Sequence, residues 1–158
     1  MGHDMQIIEA QPIKTNFKLA IVISRFNEEI TQALYQGAIQ RLKELNFPEQ
    51  YITVVWVPGA VEIPLTAQRL AKTDTFAAII CLGAVIRGDT SHYDYVCNMV
   101  SQGCAQVALQ YGIPTIFQVL TTENEEQAMA RAGGAHGNKG SDSIDAAFAM
   151  VSVLEQIY

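Results

Sequence analysis

Four short runs of apolar, largely β-branched residues, spaced by helical patterns, constrain this chain more than any other feature. They are residues 18–24 (KLAIVIS), 51–57 (YITVVWV), 76–82 (FAAIICL) and 115–120 (TIFQVL). Each has the length of a strand, and unbroken apolarity in place of alternation means that both faces are covered. Helical patterns fill the intervals. Asn27 stands as a cap before a stripe of Ile30, Leu34, Ala38, Leu42 and Leu45. Pro64 suits the first turn of a helix through Ala67, Leu70 and Ala71. Asp89 or Thr90 opens a longer helix with Val96, Val100, Cys104, Val107 and Tyr111 at helical spacing, stopped by Gly112 and Pro114. Thr122 and Glu125 have capping-box spacing for a helix that ends at Gly133 and Gly134. A last helix starts near Asp142 and carries Ile144, Phe148, Val151 and Leu154.

The order β-α-β-α-β-α-β-α-α predicts an α/β protein: a single three-layer α/β/α domain around a four-stranded parallel sheet, with flavodoxin-like winding. No repeat or linker divides the chain, so residues 13–158 are expected to form one domain. Residues 1–12 are expected to form an extended N-terminal segment, of which residues 1–4 read as an expression remnant before a native start at Met5. Ile7 and Ile8 give this segment an apolar side with which to pair with a neighbouring subunit.

Bulk properties exclude several classes. A chain that is 49% hydrophobic and 16% charged is not disordered. A formal net charge of −6 without a basic run argues against nucleic acid and acidic membranes as partners. The longest apolar run, residues 77–86, is too short to span a bilayer, and no secretory leader pattern opens the chain. A cytoplasmic location is therefore expected. Cys81, Cys97 and Cys104 are odd in number and lie in apolar segments, as buried thiols in a reducing compartment do. With His3, His92 and His136 they form no metal-ligating pattern, so no metal is expected.

Ligands of open parallel sheets bind beyond the carboxyl ends of the strands. Four segments fall there: residues 24–27, 57–62, 83–92 and 121–122. In the third, Gly83 and Gly88 permit a sharp turn, and a helix start beside Thr90 and Ser91 can cradle a phosphate; it can also be a plain strand-to-helix turn. Asp89 would repel phosphate and so suits capping. His92, in the first helical turn, faces a dipole that disfavours imidazolium, as a proton-transfer residue requires; the alternative is an exposed histidine beside Tyr93 and Asp94. Glu62 suits either sugar hydroxyls or the backbone donors of a helix start. Phe26 is a stacking surface or a core plug. Arg131 and Lys139 flank a glycine-rich stretch that can hold an anion or merely connect helices. Neither a Walker A sequence nor a GxGxxG after the first strand is present.

Taken together, residues 24–27 (SRFN), 57–60 (VPGA) with 62–64 (EIP), and 83–88 (GAVIRG) with Thr90 and His92 resemble successive blocks of the lumazine synthase family. Residues 113–114 (IP) with Phe117, 119–122 (VLTT) and 137–140 (GNKG) continue the series in the family's order, over almost all of the chain from Phe17 onward. The resemblance implies condensation of 5-amino-6-(ribitylamino)uracil with 3,4-dihydroxy-2-butanone 4-phosphate to 6,7-dimethyl-8-ribityllumazine, the penultimate step of riboflavin biosynthesis, without metal or organic cofactor. It implies that Phe26 stacks on the pyrimidine beside Asn27, that Ala60, Val61 and Glu62 hold the ribityl chain, and that Ala84, Val85 and Ile86 meet the pyrimidine through backbone groups. Asp89, Thr90 and Arg131 would lie at the phosphate, with Lys139 a secondary contact. His92 would move protons, and Phe117 would come from a neighbouring subunit. Val61 stands where many members carry an aromatic residue, and Tyr93 replaces a frequent Phe. The resemblance further implies a homo-oligomer built on rings of five, and the short 133–140 connection resembles members that close into icosahedral shells of sixty. A non-catalytic flavin or lumazine carrier, a flavodoxin-like phosphate-binding or signalling domain, and a shell protein without catalysis are the competing readings.

Overall fold

One strand organises the molecule. β1 (Leu19–Ser24) is buried along its whole length and lies between β2 (Ile52–Val57) and β3 (Ala78–Ile86), with β4 (Thr115–Thr122) beyond β3. All three pairings are parallel, with Leu19 opposite both Ile52 and Ala78, and Ile79 opposite Thr115. The computed structural model describes residues 4–12 and 14–157. Residues 1–3, on which most of the expected remnant falls, and Ile13, at the expected domain boundary, lie outside the described residues.

Successive side chains of a strand point to opposite faces, and β1 uses both. Leu19, Ile21 and Ile23 turn toward Leu34 and Ala38 of α1 (Glu28–Glu44) and Ile144 and Phe148 of α5 (Lys139–Glu155). Ala20 and Val22 turn toward Ile63 and Ala67 of α2 (Ile63–Lys72) and Val100 and Cys104 of α3 (His92–Tyr111). Helix α4 (Glu125–Arg131) joins the α1/α5 layer through Ala128. The expected α/β/α sandwich with its four-stranded parallel sheet is the observed one. Phe17, Phe47 and Phe148 close its amino end, with ring centroids 5.1 to 5.4 Å apart.

Local details depart from the sequence reading. β3 and β4 run on together until Ile86 faces Thr122, so Gly83 lies inside a strand and not in a turn. Neither Gly83 nor Gly88 has a left-handed φ. A Cβ on Gly83 would lie 2.9 Å from Ser24 Oγ and 3.2 Å from Ile63 Cδ1, so close packing explains that glycine. Helix α3 begins at His92, after Ser91, and neither Asp89 nor Thr90 occupies its cap position. Asn124, not Thr122, caps α4: its side chain accepts from Gln127 N at 2.8 Å. Thr122 is still paired in β4 and is too early to cap. Helix α5 starts three residues before Asp142, capped by Asn138. Helix α4 stops at Arg131 and not at Gly133, because the next residues pair in a short antiparallel ribbon, β5 (Ala132–Gly134) with β6 (Gly137–Asn138).

Two thiols, Cys81 and Cys104, are buried as expected, whereas Cys97 is half-buried. The neighbouring Cys104 thiol, and burial second, push the Cys81 pKa well above the ordinary thiol value, so Cys81 serves as a small core hydrophobe. Residues 5–11 form neither helix nor strand. They are tethered to α5 where Ser152 Oγ accepts from Gln11 N and Gln156 Nε2 donates to Glu9 O, both at 2.8 Å.

Candidate active site

The chain leaves β1 on one side of the sheet and β3 on the other, which opens a crevice between their carboxyl ends. Backbone bonds hold the first wall. Arg25 N donates to Val57 O at 2.8 Å and Phe26 N to Pro58 O at 3.0 Å, carrying the β1–β2 ladder past its last strand residues. The Phe26 ring is thereby held 71% exposed, which excludes the core-plug reading and leaves a flat apolar face free.

Asn27 then takes the left-handed conformation, φ 61°, which Asn tolerates better than most residues. Its side chain does not cap α1. Asn27 Nδ2 instead donates to Ala84 O at 2.9 Å and ties the exit of β1 to β3. The second wall is the turn after β2. Glu62 Oε1 accepts from Gly59 N at 2.8 Å, which fixes a short 3-10 turn, Ala60–Glu62. One carboxylate oxygen of Glu62 thus does the backbone work that the sequence left open as an alternative to sugar binding.

The third wall is the segment from β3 into α3. It brings Ala84, Val85, Ile86, Gly88, Thr90, His92, Tyr93 and Val96 to a cavity of about 370 Å³, which Phe26, Asn27, Gly59, Ala60 and Val61 also line. That volume suits one small ring system with a side chain. His92 is exposed in the first turn of α3, and its backbone N–H donates to Thr90 Oγ1 at 3.3 Å. Burial pushes the Tyr93 phenol pKa above its ordinary value, so this ring presents a neutral wall.

Nine of the residues singled out in the sequence therefore meet at one place: Phe26, Asn27, Ala60, Val61, Ala84, Val85, Ile86, Thr90 and His92. Five do not line it. Glu62 and Asp89 lie in its rim segments, both exposed. Phe117 sits in β4 opposite Cys81, five residues before the strand's end, roughly 17 Å down the edge. Arg131 ends α4 in the opposite helical layer and donates through Nη1 to Gln127 O at 2.8 Å. Lys139 begins α5, with Nζ 3.6 Å from an Asp142 carboxylate oxygen.

Gly59, Gly88, Tyr93 and Val96 were not singled out as site residues, although each lines the cavity. The four-residue step from His92 to Val96 is the signal that could have found Val96, because it places both on one helix face. Among the described residues, no three His, Cys, Asp or Glu side chains gather as metal ligands, and no helix is long and apolar enough to cross a membrane.

The family described as 6,7-dimethyl-8-ribityllumazine synthase matches this sequence over residues 16–155. A 6,7-dimethyl-8-ribityllumazine synthase of Coxiella burnetii (strain Dugway 5J108-111) is 58% identical over 144 residues, which span 91% of this chain and 95% of that one. The same enzyme from C. burnetii strains CbuG_Q212 and RSA 493 / Nine Mile phase I aligns with the same identity and coverage.

Proposed function

The chain belongs to the 6,7-dimethyl-8-ribityllumazine synthase family and is a transferase of riboflavin biosynthesis, and from that premise we propose how its residues divide the reaction. The substrates are 5-amino-6-(ribitylamino)uracil and 3,4-dihydroxy-2-butanone 4-phosphate. The amine attacks the ketone, an imine forms with loss of water, phosphate leaves, and the ribityl-bearing amine closes the ring on the remaining carbonyl with loss of a second water to give the lumazine. Each step needs a proton moved and two substrates held in reach, so positioning is the larger part of the rate.

The observation that carries this division is the gathering of Phe26, Thr90 and His92 around one cavity. The pyrimidine stacks on Phe26 and meets backbone groups of Ala84, Val85 and Ile86. The ribityl chain runs past Ala60, Val61 and Glu62. Phosphate lies at Thr90 and the start of α3, where the helix dipole favours an anion. His92 moves protons between nitrogen, oxygen and water.

Arg131, Lys139 and Phe117 complete the site from a neighbouring copy. Their positions support this: Phe117 is 38% exposed on an edge strand, and both cations lie on the layer away from their own cavity. Leu65, Tyr95, Met99 and Leu109 leave an exposed apolar surface on α2 and α3 that suits burial against a second chain. Rings of five, and a closed shell of sixty, are the assemblies we propose, with the 5–12 segment reaching the neighbour. The free cysteines suit the reducing cytoplasm, where we place the protein.

The test mixes both substrates with the purified protein and follows the lumazine chromophore. Product must appear in the parent; a carrier or inert shell protein would bind ligand and make none. His92→Ala is expected to slow turnover roughly a hundredfold without abolishing it. Arg131→Ala should cost about as much or more in kcat/KM, expressed mainly in the ketone phosphate. Unchanged kinetics in either variant removes that residue from the site.

A further inference from the structure

The geometry points to Arg87 as a positioning residue of this reaction: a clamp that holds the first turn of α3, and with it His92 and Thr90, against the carboxyl ends of β3 and β4. The inference rests on the site reading above and adds to it a residue that does not line the cavity.

Arg87 is the first residue after β3, and its backbone N–H donates to Thr122 O at 2.9 Å, one step past the last ladder pair. The root of its side chain is therefore fixed by the sheet. From there the guanidinium makes three contacts that join two separate pieces of chain. Nε lies 2.6 Å from Glu123 Oε2, just beyond β4. Nη2 lies 3.3 Å from Asp94 Oδ1, in the first turn of α3. Cζ stands 4.4 Å from the centroid of the Tyr93 ring, which itself forms part of the cavity wall. The planar fork of Arg can do all three at once, which a Lys ammonium cannot.

Helix α3 needs such a device. Its cap residue, Ser91, makes no side-chain bond; within the turn Asp94 N donates to Ser91 O at 3.0 Å and His92 N to Thr90 Oγ1 at 3.3 Å, and neither bond ties the turn to the sheet. An uncapped helix start frays. Here the fraying residues are those that carry the imidazole and the phosphate-facing hydroxyl, and Arg87 grips the two residues that follow His92. The guanidinium already faces two carboxylates, Glu123 and Asp94, so it is spoken for as a clamp and not free as a phosphate ligand. Misplacing a reacting group by an ångström far from any broken contact with substrate is enough to lose a large factor in rate.

The experiment measures steady-state product formation for Arg87→Gln, Arg87→Lys and Glu123→Gln in the full-length chain, with His92→Asn as reference. Arg87→Gln is expected to lower kcat roughly tenfold to a hundredfold, raise KM for the ketone phosphate, and leave KM for the pyrimidine within about twofold. Arg87→Lys should recover part of kcat, because it keeps the Glu123 contact but cannot also hold Asp94 and the ring. Glu123→Gln should move the same parameters less. A general loss of structure would lower active concentration and move neither KM selectively. Equal changes in both KM values, or Arg87→Gln, Arg87→Lys and Glu123→Gln all within twofold of the parent, overturn the clamp. If Arg87→Gln does not fold, Arg87→Lys and Glu123→Gln decide alone by the same criteria. If His92→Asn itself leaves turnover unchanged, it is the site reading that fails and not the clamp.

Discussion

The segments 83–92 and 133–140 share features in the sequence, each combining glycines, polar residues and a cation, yet the fold uses them in opposite ways. Segment 133–140 spends its polar groups on the protein itself. Asn138 Nδ2 donates to Ala33 O at 3.0 Å, and its Oδ1 accepts from Ser141 N at 3.1 Å. The Asn138 side chain fills the space that a Cβ on Gly37 would need, and Gly140 lies against the Leu34 carbonyl with no room for a methyl. In segment 83–92 Arg87 and the Ala84 carbonyl are also engaged, but Gly88, Thr90 and His92 face a cavity, and the helix that follows starts without a side-chain cap. The difference teaches that glycine content does not identify a site. What separates a latch from a pocket is whether the polar atoms beside the glycines are already satisfied.

That contrast is broken most severely at Gly140. Gly140→Ala would drive a methyl into the Leu34 carbonyl, and backbone cannot give way as a flexible side chain can. The expected cost is about 3 kcal/mol or more of stability, read by urea denaturation, with loss of soluble protein as the extreme form. A variant as stable as the parent would show that α1 and α5 can separate there, and the latch would be no latch. Gly83→Ala should come next. Its methyl meets Ser24 Oγ and the Ile63 and Val119 side chains, which can shift by tenths of an ångström, so about 1–2 kcal/mol is expected in the same measurement.

The elements were legible because they depend on short-range patterns. The two faces of β1, the stripe of α1 and the stop at Gly112, whose φ is 63°, all follow from periodicity and backbone sterics within a few residues. Most of the lining of the candidate cavity was legible too, since the unusual residues fall at strand ends. What the sequence hid is longer in range. Asn27 has the residue type of a cap, but its side chain goes to Ala84, 57 positions away, and nothing local foretells that. Thr122 has the spacing of a capping box, but pairing with Ile86 keeps it in the sheet and hands the cap to Asn124. Gly83 reads as a turn only if β3 stops at Leu82; the apolar residues Ala84, Val85 and Ile86 beyond it were the signal that it does not. Arg87 reads as one more charge on a loop until Glu123, 36 positions on, is brought beside it.

The smallest effect on stability is expected at Gly88, and it sharpens the comparison most. A Cβ there meets nothing within 4 Å, and its φ is not left-handed, so alanine is sterically allowed. Replacing Gly by Ala at a permitted conformation also restricts the unfolded chain, which offsets any small loss. Gly88→Ala should therefore unfold within about 0.5 kcal/mol of the parent. Yet Gly88 lines the cavity beside Thr90, and under the proposed division of the reaction the open space there admits substrate. A methyl in it should raise KM for the ketone phosphate by about tenfold while KM for the pyrimidine changes little. Gly140→Ala would thus damage the fold from a place that touches no substrate, and Gly88→Ala would damage binding from a place the fold does not need. Parent-like kinetics for Gly88→Ala would mean that phosphate does not approach this turn, and the distinction between latch and pocket would then rest on His92 and Thr90 alone.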